Sequence, residues 1–245
     1  MLYGQSLVDD VRGLSAKSRL LVQLLAAAGW AVSLPPVAGL PAWLALGVLT
    51  LAAAGFANFF NFMDGSNGLA GGMALFGFAT LALLAGSTPV GALALAIAAA
   101  AAGFLLFNFH PARVFMGDAG SVPLGFLAVA LGVQGWLAGL WPWATPLLAF
   151  LPFAVDASVT LSRRARRGEK VWQAHREHYY QRLIRLGWSH RRTALAYYAA
   201  MVLCGTLAGL AAWQPALAAG CLLAGLVLLA VPMRWIDRRW QQQAA

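Results

Sequence analysis

The chain has 245 residues, 61% of them apolar and only 10% charged, against roughly a quarter charged in an ordinary soluble domain. Lys and Arg number 17 and Asp and Glu 8, a formal net charge of +9. These figures exclude a disordered tail, a disulfide scaffold and a typical soluble enzyme, because a soluble domain of this size has too little interior to hide so much Leu, Ala, Val and Phe. A bilayer accepts them. The two cysteines, Cys204 and Cys221, both lie inside apolar runs and read as small core residues rather than a disulfide or metal framework.

A span needs about 20 mostly apolar residues, since a helix rises about 1.5 Å per residue and the hydrocarbon layer is about 30 Å thick. Taken in chain order, the candidates are 19–34, 42–57, 69–86, 90–107, 122–139, 145–162, 193–212 and 216–233. Strands are not expected: the chain shows no period-2 alternation, and an open sheet edge is unsatisfied in lipid. The expected fold is therefore all-α, a polytopic membrane bundle of about eight transmembrane helices, read as one integral membrane domain over 1–245.

The loops set the orientation. Those at 35–41, 86–89, 140–143 and 213–215 carry no charge, whereas the others hold all 17 basic residues. Lys and Arg stay on the cytoplasmic side, so both termini and every charged loop are expected there, at a bacterial inner membrane. This topology and attraction to anionic lipid explain the basic excess, and nucleic acid is not an expected partner. Trp235 and Trp240 among arginines suit an interfacial anchor.

Polar residues crowd that same side. Asp156 is the exception, about two turns inside the membrane before Arg163; an acid at that depth needs a partner and is a functional or pairing candidate. The middle of the bilayer is otherwise almost free of charge, which favours chemistry at the water–lipid boundary over transport through it.

Four charged segments stand out. Asp9 and Asp10 are adjacent carboxylates that repel and need a cation, a proton or a basic neighbour; a helix-start acid pair is the plainer reading. Residues 58–72, NFFNFMDGSNGLAGG, gather Asn58, Asn61, Asp64 and Asn67 on one tight turn before a helix whose free N–H groups face any anion. Residues 108–121, NFHPARVFMGDAGS, offer the Arg113 fork for phosphate and Asp118 as a hard oxygen ligand suited to Mg²⁺. Here His110 reads as structural. Residues 175–183, HREHYYQRL, place His175, Arg176 and His178, with Arg182 and Arg185, where they can surround a diphosphate. The arginines at 163–167 read as a solvated, positive-inside loop.

Carboxylates and amides that hold a divalent cation, with Arg and His that neutralise phosphate oxygens, are the equipment of phosphoryl transfer. On the lipid boundary, the two partners read as a lipid phosphate and a soluble nucleotide.

In this order, NFMDG, PARVFMGDAGS and the HREH segment resemble the polyprenyl-phosphate N-acetylhexosamine-1-phosphate transferase superfamily, glycosyltransferase family 4, over essentially the whole chain. The wording of the first two, and a spaced His pair rather than three in a row, look more like the O-antigen-initiating branch, with its lipopolysaccharide role, than the cell-wall enzyme. The resemblance implies transfer of a sugar-1-phosphate from a UDP-sugar to undecaprenyl phosphate with release of UMP. It implies Mg²⁺, with Mn²⁺ as the alternative ion, held by Asn61 and Asp118. Asn67 and Phe115 correspond to uracil contacts, and Arg113, His175, Arg176 and His178 to diphosphate and sugar contacts. Asp9 and Asp10 match the acidic pair near the lipid phosphate, where the resemblance makes them catalytic candidates, one of them as base. Asp64 matches an acid once considered a nucleophile; direct attack by the lipid phosphate, with Asp64 electrostatic, is the favoured reading. A homodimer is compatible with the resemblance.

Two departures accompany it. Asn67 stands where many relatives carry a second Asp. The acidic pair falls at residues 9 and 10, whereas two or three spans precede it in the family, so the chain is expected to lack those upstream spans. The alternatives are a truncated, non-catalytic remnant of the family and a membrane transporter with a basic cytoplasmic vestibule.

Overall fold

The structure, a computed structural model, describes residues 2–6, 15–171, 173 and 175–244. Beyond a helical turn at 2–6 it contains α1 (Ala16–Val32), α2 (Ala42–Phe62), α3 (Leu69–Ala85), α4 (Pro89–Asn108), α5 (Gly117–Leu137), α6 (Ala144–Ala149), α7 (Leu151–Arg166), α8 (Tyr179–Arg185), α9 (His190–Trp213) and α10 (Ala218–Ala244). Among the described residues there is no strand. The chain is an all-α, multi-pass membrane bundle.

Every expected span is found as helix, but not all are simple spans. Among the described residues, five helical stretches are long and apolar enough to cross a bilayer: Ala42–Phe62, Pro89–Asn108, Gly117–Leu137, His190–Trp213 and Pro215–Gln243. α3 and α1 have 17 residues each, and α1 carries Lys17 and Arg19 in its first turn. The stretch expected at 145–162 is broken at Phe150 into α6 and α7. Pro152 sits in the first turn of α7 and cannot donate a backbone hydrogen bond back into α6. The Phe150 ring fills the break, edge-on to Phe56 at 5.9 Å and to Phe78 at 5.2 Å between centroids. Phe153 in turn meets Phe60 at 5.2 Å.

The helices pair as α1 with α2, α2 with α5 and α3 with α4, while α9 lies across α3 and α6. α2 and α5 approach closely at Gly125, where a Cβ would stand 2.5 Å from the Phe56 carbonyl oxygen and 2.7 Å from the Ala57 Cα. The largest core cluster, with Phe60, Met63, Leu69, Met73, Phe78, Phe153, Tyr180 and Met201, is continuous with the end of the bundle that carries the charged loops. Cys204 and Cys221 are buried and unpaired, as the sequence suggests.

α10 is longer than the expected 216–233 and reaches back over α7 and α8. Its Asp237 accepts two hydrogen bonds from Arg163, at 2.5 and 2.7 Å, one from Arg182 at 3.0 Å and one from the Tyr179 hydroxyl at 3.1 Å. Arg164 is buried and reaches Glu169 at 2.8 Å. The expectation of a freely solvated run at 163–167 is therefore corrected for Arg163 and Arg164: both fasten the fold. Trp235 lies 6.1 Å from Trp188, and Trp240 takes Arg182 and Arg185 over its face, so the tail tryptophans pack against protein cations.

Candidate active site

The turn between α2 and α3 and the start of α5 meet at the charged end. Asn61, in the last turn of α2, donates from Nδ2 to Asp118 Oδ1 at 2.6 Å and to Ser121 Oγ at 3.0 Å. Asp118 lies in the first turn of α5, where the helix dipole favours a carboxylate. Arg19, from the first turn of α1, reaches Asp118 Oδ2 at 3.1 Å. Asp64 joins the group across the turn: the Gly117 N–H donates to it, yet burial first and the Asp118 charge second push its carboxyl up from 3.8 to about 7. Two carboxylates thus face one another in a partly dry site, with one guanidinium beside them.

The turn itself is fastened from three sides. Gly68 has a φ of 77°, and a Cβ there would come within 2.9 Å of the Phe109 ring, so a glycine is required. Its N–H donates to Asn108 Oδ1 at 3.0 Å and its carbonyl accepts the Tyr198 hydroxyl at 2.6 Å. Asn108 also donates to the Val114 carbonyl at 2.8 Å, tying the second motif to the first. Asn67 Nδ2 lies 3.0 Å from His110 Nδ1, and Ser66 Oγ 2.9 Å from His190 Nδ1. His110 and His190 stack at 5.9 Å. His110, read from sequence as structural, braces Asn67.

The His segment approaches from the other side. Tyr180 donates its hydroxyl to the Phe62 carbonyl at 3.0 Å, and the His178 ring stacks at 6.0 Å from Phe62 and lies tilted at 4.7 Å from His175. Burial, then His178, lowers His175 to about 4. At neutral pH it is an uncharged hydrogen-bonding ring, while Arg176 beside it is exposed. Arg182 is corrected: it is buried, held by Asp237 and the Glu177 carbonyl at 2.9 Å. Arg185, stacked over Trp240, is likewise turned to packing.

The structure therefore brings Asn61, Asp64 and Asp118 together and sets Asn67 and His178 on the two flanks. Arg113 is exposed, and Phe115 is 74% exposed, so neither is packed against the Asn61–Asp118 pair. Asp9 and Asp10 lie outside the described residues. Sequence reasoning missed Arg19 and Ser121 as members. Ser121 follows Asp118 by three residues, one helical turn on the same face, a signal present in the sequence; nothing local marks Arg19, whose partner is 99 residues away.

A divalent cation fits this chemistry. Among the described residues no three His, Cys, Asp or Glu side chains form a cluster, but Mg²⁺ is held by few protein oxygens plus water and phosphate. Asp64, Asp118, Asn61 and Ser121 carry hard oxygens, and a cation would relieve both the burial and the Asp118 repulsion that lift Asp64.

The fold and the site define a multi-pass membrane protein with a carboxylate–amide–guanidinium cluster where its charged loops converge. The family model described as glycosyl transferase family 4 matches residues 1–135, and the chain belongs to that family. It is similar to the probable undecaprenyl-phosphate N-acetylglucosaminyl 1-phosphate transferase of Bacillus subtilis, 31% identical over 78% of this chain and 58% of the relative. The decaprenyl-phosphate N-acetylglucosaminephosphotransferase of Mycobacterium tuberculosis is 28% identical over 81% of this chain and 58% of its own length. The phospho-N-acetylmuramoyl-pentapeptide-transferase of Thermosynechococcus vestitus is 32% identical over 82% and 58%. The chain spans 58% of the length of each of these relatives.

Proposed function

We propose that the protein transfers a sugar-1-phosphate, of the N-acetylhexosamine type, from a UDP-sugar to undecaprenyl phosphate at the cytoplasmic face of the inner membrane. An oxygen of the lipid phosphate bonds to the sugar-bearing phosphorus. The bond from that phosphorus to the bridging oxygen breaks, and UMP leaves with that oxygen. The observation that carries this reading is the 2.6 Å contact of Asn61 with Asp118, which joins two phosphate-type motifs 57 residues apart. The names of the relatives, which specify polyprenyl phosphates and N-acetylglucosamine phosphate, support the substrate class. The product would start a cell-surface polysaccharide, with O-antigen of lipopolysaccharide as the assignment the motif wording favours.

Bound Mg²⁺ would neutralise charge on the transferred phosphoryl group. Asp118, Asp64 and Asn61 would hold it, and Asn67 would contact the uracil, braced by His110. Arg113, Phe115 and Arg176 are exposed and would face the nucleotide; Arg176 would supply positive charge at the diphosphate, with His175 and His178 as hydrogen-bonding rings. Asp9 and Asp10 would lie at the lipid phosphate. The membrane supplies the second substrate in place, which lowers the cost of bringing reactants together.

The test is UMP release from UDP-N-acetylglucosamine by membranes carrying the protein with added undecaprenyl phosphate and Mg²⁺. Asp118→Asn is expected to abolish release with normal membrane insertion. Release unchanged by Asp118→Asn would refute the reading, as would none from the unsubstituted protein under conditions in which a related transferase works.

A further inference from the structure

The sequence leaves Asp156 without a task, and the structure surrounds it. The carboxylate is 2% exposed. Its Oδ1 accepts the Tyr179 backbone N–H at 2.9 Å and the Thr160 hydroxyl at 3.2 Å, and lies 3.3 Å from His178 Nδ1. Its Oδ2 accepts the Tyr180 N–H at 3.2 Å and the Tyr197 hydroxyl at 2.5 Å. Five donors from α7, α8 and α9 and the loop before α8 thus converge on one side chain. A carboxylate at the start of a helix satisfies N–H groups that have no partner within the helix.

The contact with His178 has a further consequence. Nδ1 lies between the Gln181 N–H and the Asp156 carboxylate, and an ionised carboxylate, which only accepts, engages Nδ1 when the ring proton sits there. That leaves Nε2 as the ring atom open to other partners. Nε2 is buried and has no hydrogen-bond partner among the described residues, while the ring lies against Phe62, the neighbour of Asn61. A buried polar atom without a partner carries a cost, and a ligand group at that place removes it.

We propose that Asp156 is a positioning residue of the site: it holds His178 through Nδ1 and seats the first turn of α8, so that Nε2 of His178 is the atom presented to the phosphorylated sugar. This inference rests on the transferase reading for its substrate, but its geometry is independent of turnover. Asp156 touches no reacting atom and acts through the ring. The arrangement matches the carboxylate–histidine pairs that orient ligating imidazoles elsewhere, where loss of the outer partner costs about 10–100-fold.

The experiment is a double-mutant cycle on UMP release, with thermal unfolding in detergent measured on each variant. Asp156→Asn is expected to lower kcat/KM for the UDP-sugar about 10–100-fold, and to change it less than about 3-fold once His178→Gln is present, because coupled residues are non-additive. Equal losses in both backgrounds, tracking a fall in unfolding temperature, would overturn the proposal and leave Asp156 a support of the fold alone. Should Asp156→Asn fail to insert, ¹⁵N chemical shifts of His178 in the unsubstituted protein decide: a proton on Nδ1 supports the proposal, and a neutral ring with its proton on Nε2 overturns it. Absence of UMP release from the unsubstituted protein would count against the transferase reading, and the nitrogen shifts would still judge the positioning role.

Discussion

Replacing Asp64 by Asn keeps the shape and removes one of two facing carboxylates. In the metal-free protein burial and the Asp118 charge hold Asp64 near 7 rather than 3.8. The folded state therefore prefers the protonated form, and stability present below pH 4 is lost as pH rises towards 7. A tenfold change in proton affinity is worth about 1.4 kcal/mol, so the stability lost through the raised pKa of Asp64 reaches about 4 kcal/mol above pH 7 and about 2 kcal/mol at pH 5. An Asn carbonyl still accepts the Gly117 N–H without paying that cost. Asp64→Asn is accordingly expected to unfold at a higher temperature than the unsubstituted protein in chelator-containing detergent at pH 8, with the gap shrinking steadily to nothing near pH 4. If the two carboxylates hold a cation, millimolar Mg²⁺ raises the unsubstituted protein selectively and narrows the gap at pH 8, while the variant loses UMP release. A gap that is the same at pH 5 and pH 8, or no gap at all, would refute the electrostatic reasoning.

Gly125→Ala is expected to cost about 1–3 kcal/mol by overpacking, since its Cβ meets the α2 backbone at Phe56 and Ala57; a lower unfolding temperature in detergent checks it. Asp237→Ala leaves Arg182 buried beside an empty place and is expected to destabilise on the order of 3 kcal/mol, with faster trypsin cleavage after Arg238 or Arg239; an unchanged cleavage rate would show that the tail of α10 is held by its tryptophans instead. Cys204 and Cys221, both buried, are expected to resist maleimide in the folded protein and to react fully once it is unfolded.

The parts of this molecule that composition and short motifs control are legible in the sequence. Apolar runs gave the places of the helices, and the loop charges gathered the polar residues at one end, where the structure also joins them. Asn61 and Asp118 carry their chemistry in residue type and local turn, so their meeting was readable. The break at Phe150 was legible in part: Pro152 marks it, but the aromatic seat formed with Phe56 and Phe78 depends on helices distant in the chain. The arginines show the limit. Arg19, Arg163 and Arg182 look alike in a basic loop, and only the fold assigns the first to Asp118 and the other two to Asp237.

The same limit explains the misreading of the His segment. From sequence, His175, Arg176, His178, Arg182 and Arg185 form one cationic cluster around a diphosphate. In the structure the helix α8 divides them. Asp156 takes the two N–H groups of its first turn, Asp237 and Trp240 take Arg182, and Arg185 lies over Trp240. Only His175, Arg176 and His178, which precede that helix, stay on the side of Phe62 and the Asn61–Asp118 pair or in the open loop beside it. Asp237, an acid that no phosphate motif includes, thus takes Arg163 and Arg182 for the fold, and Asp156 seats the helix that parts Arg182 and Arg185 from the residues before it. Charge count alone overstates a phosphate site wherever long-range acids of this kind consume part of it.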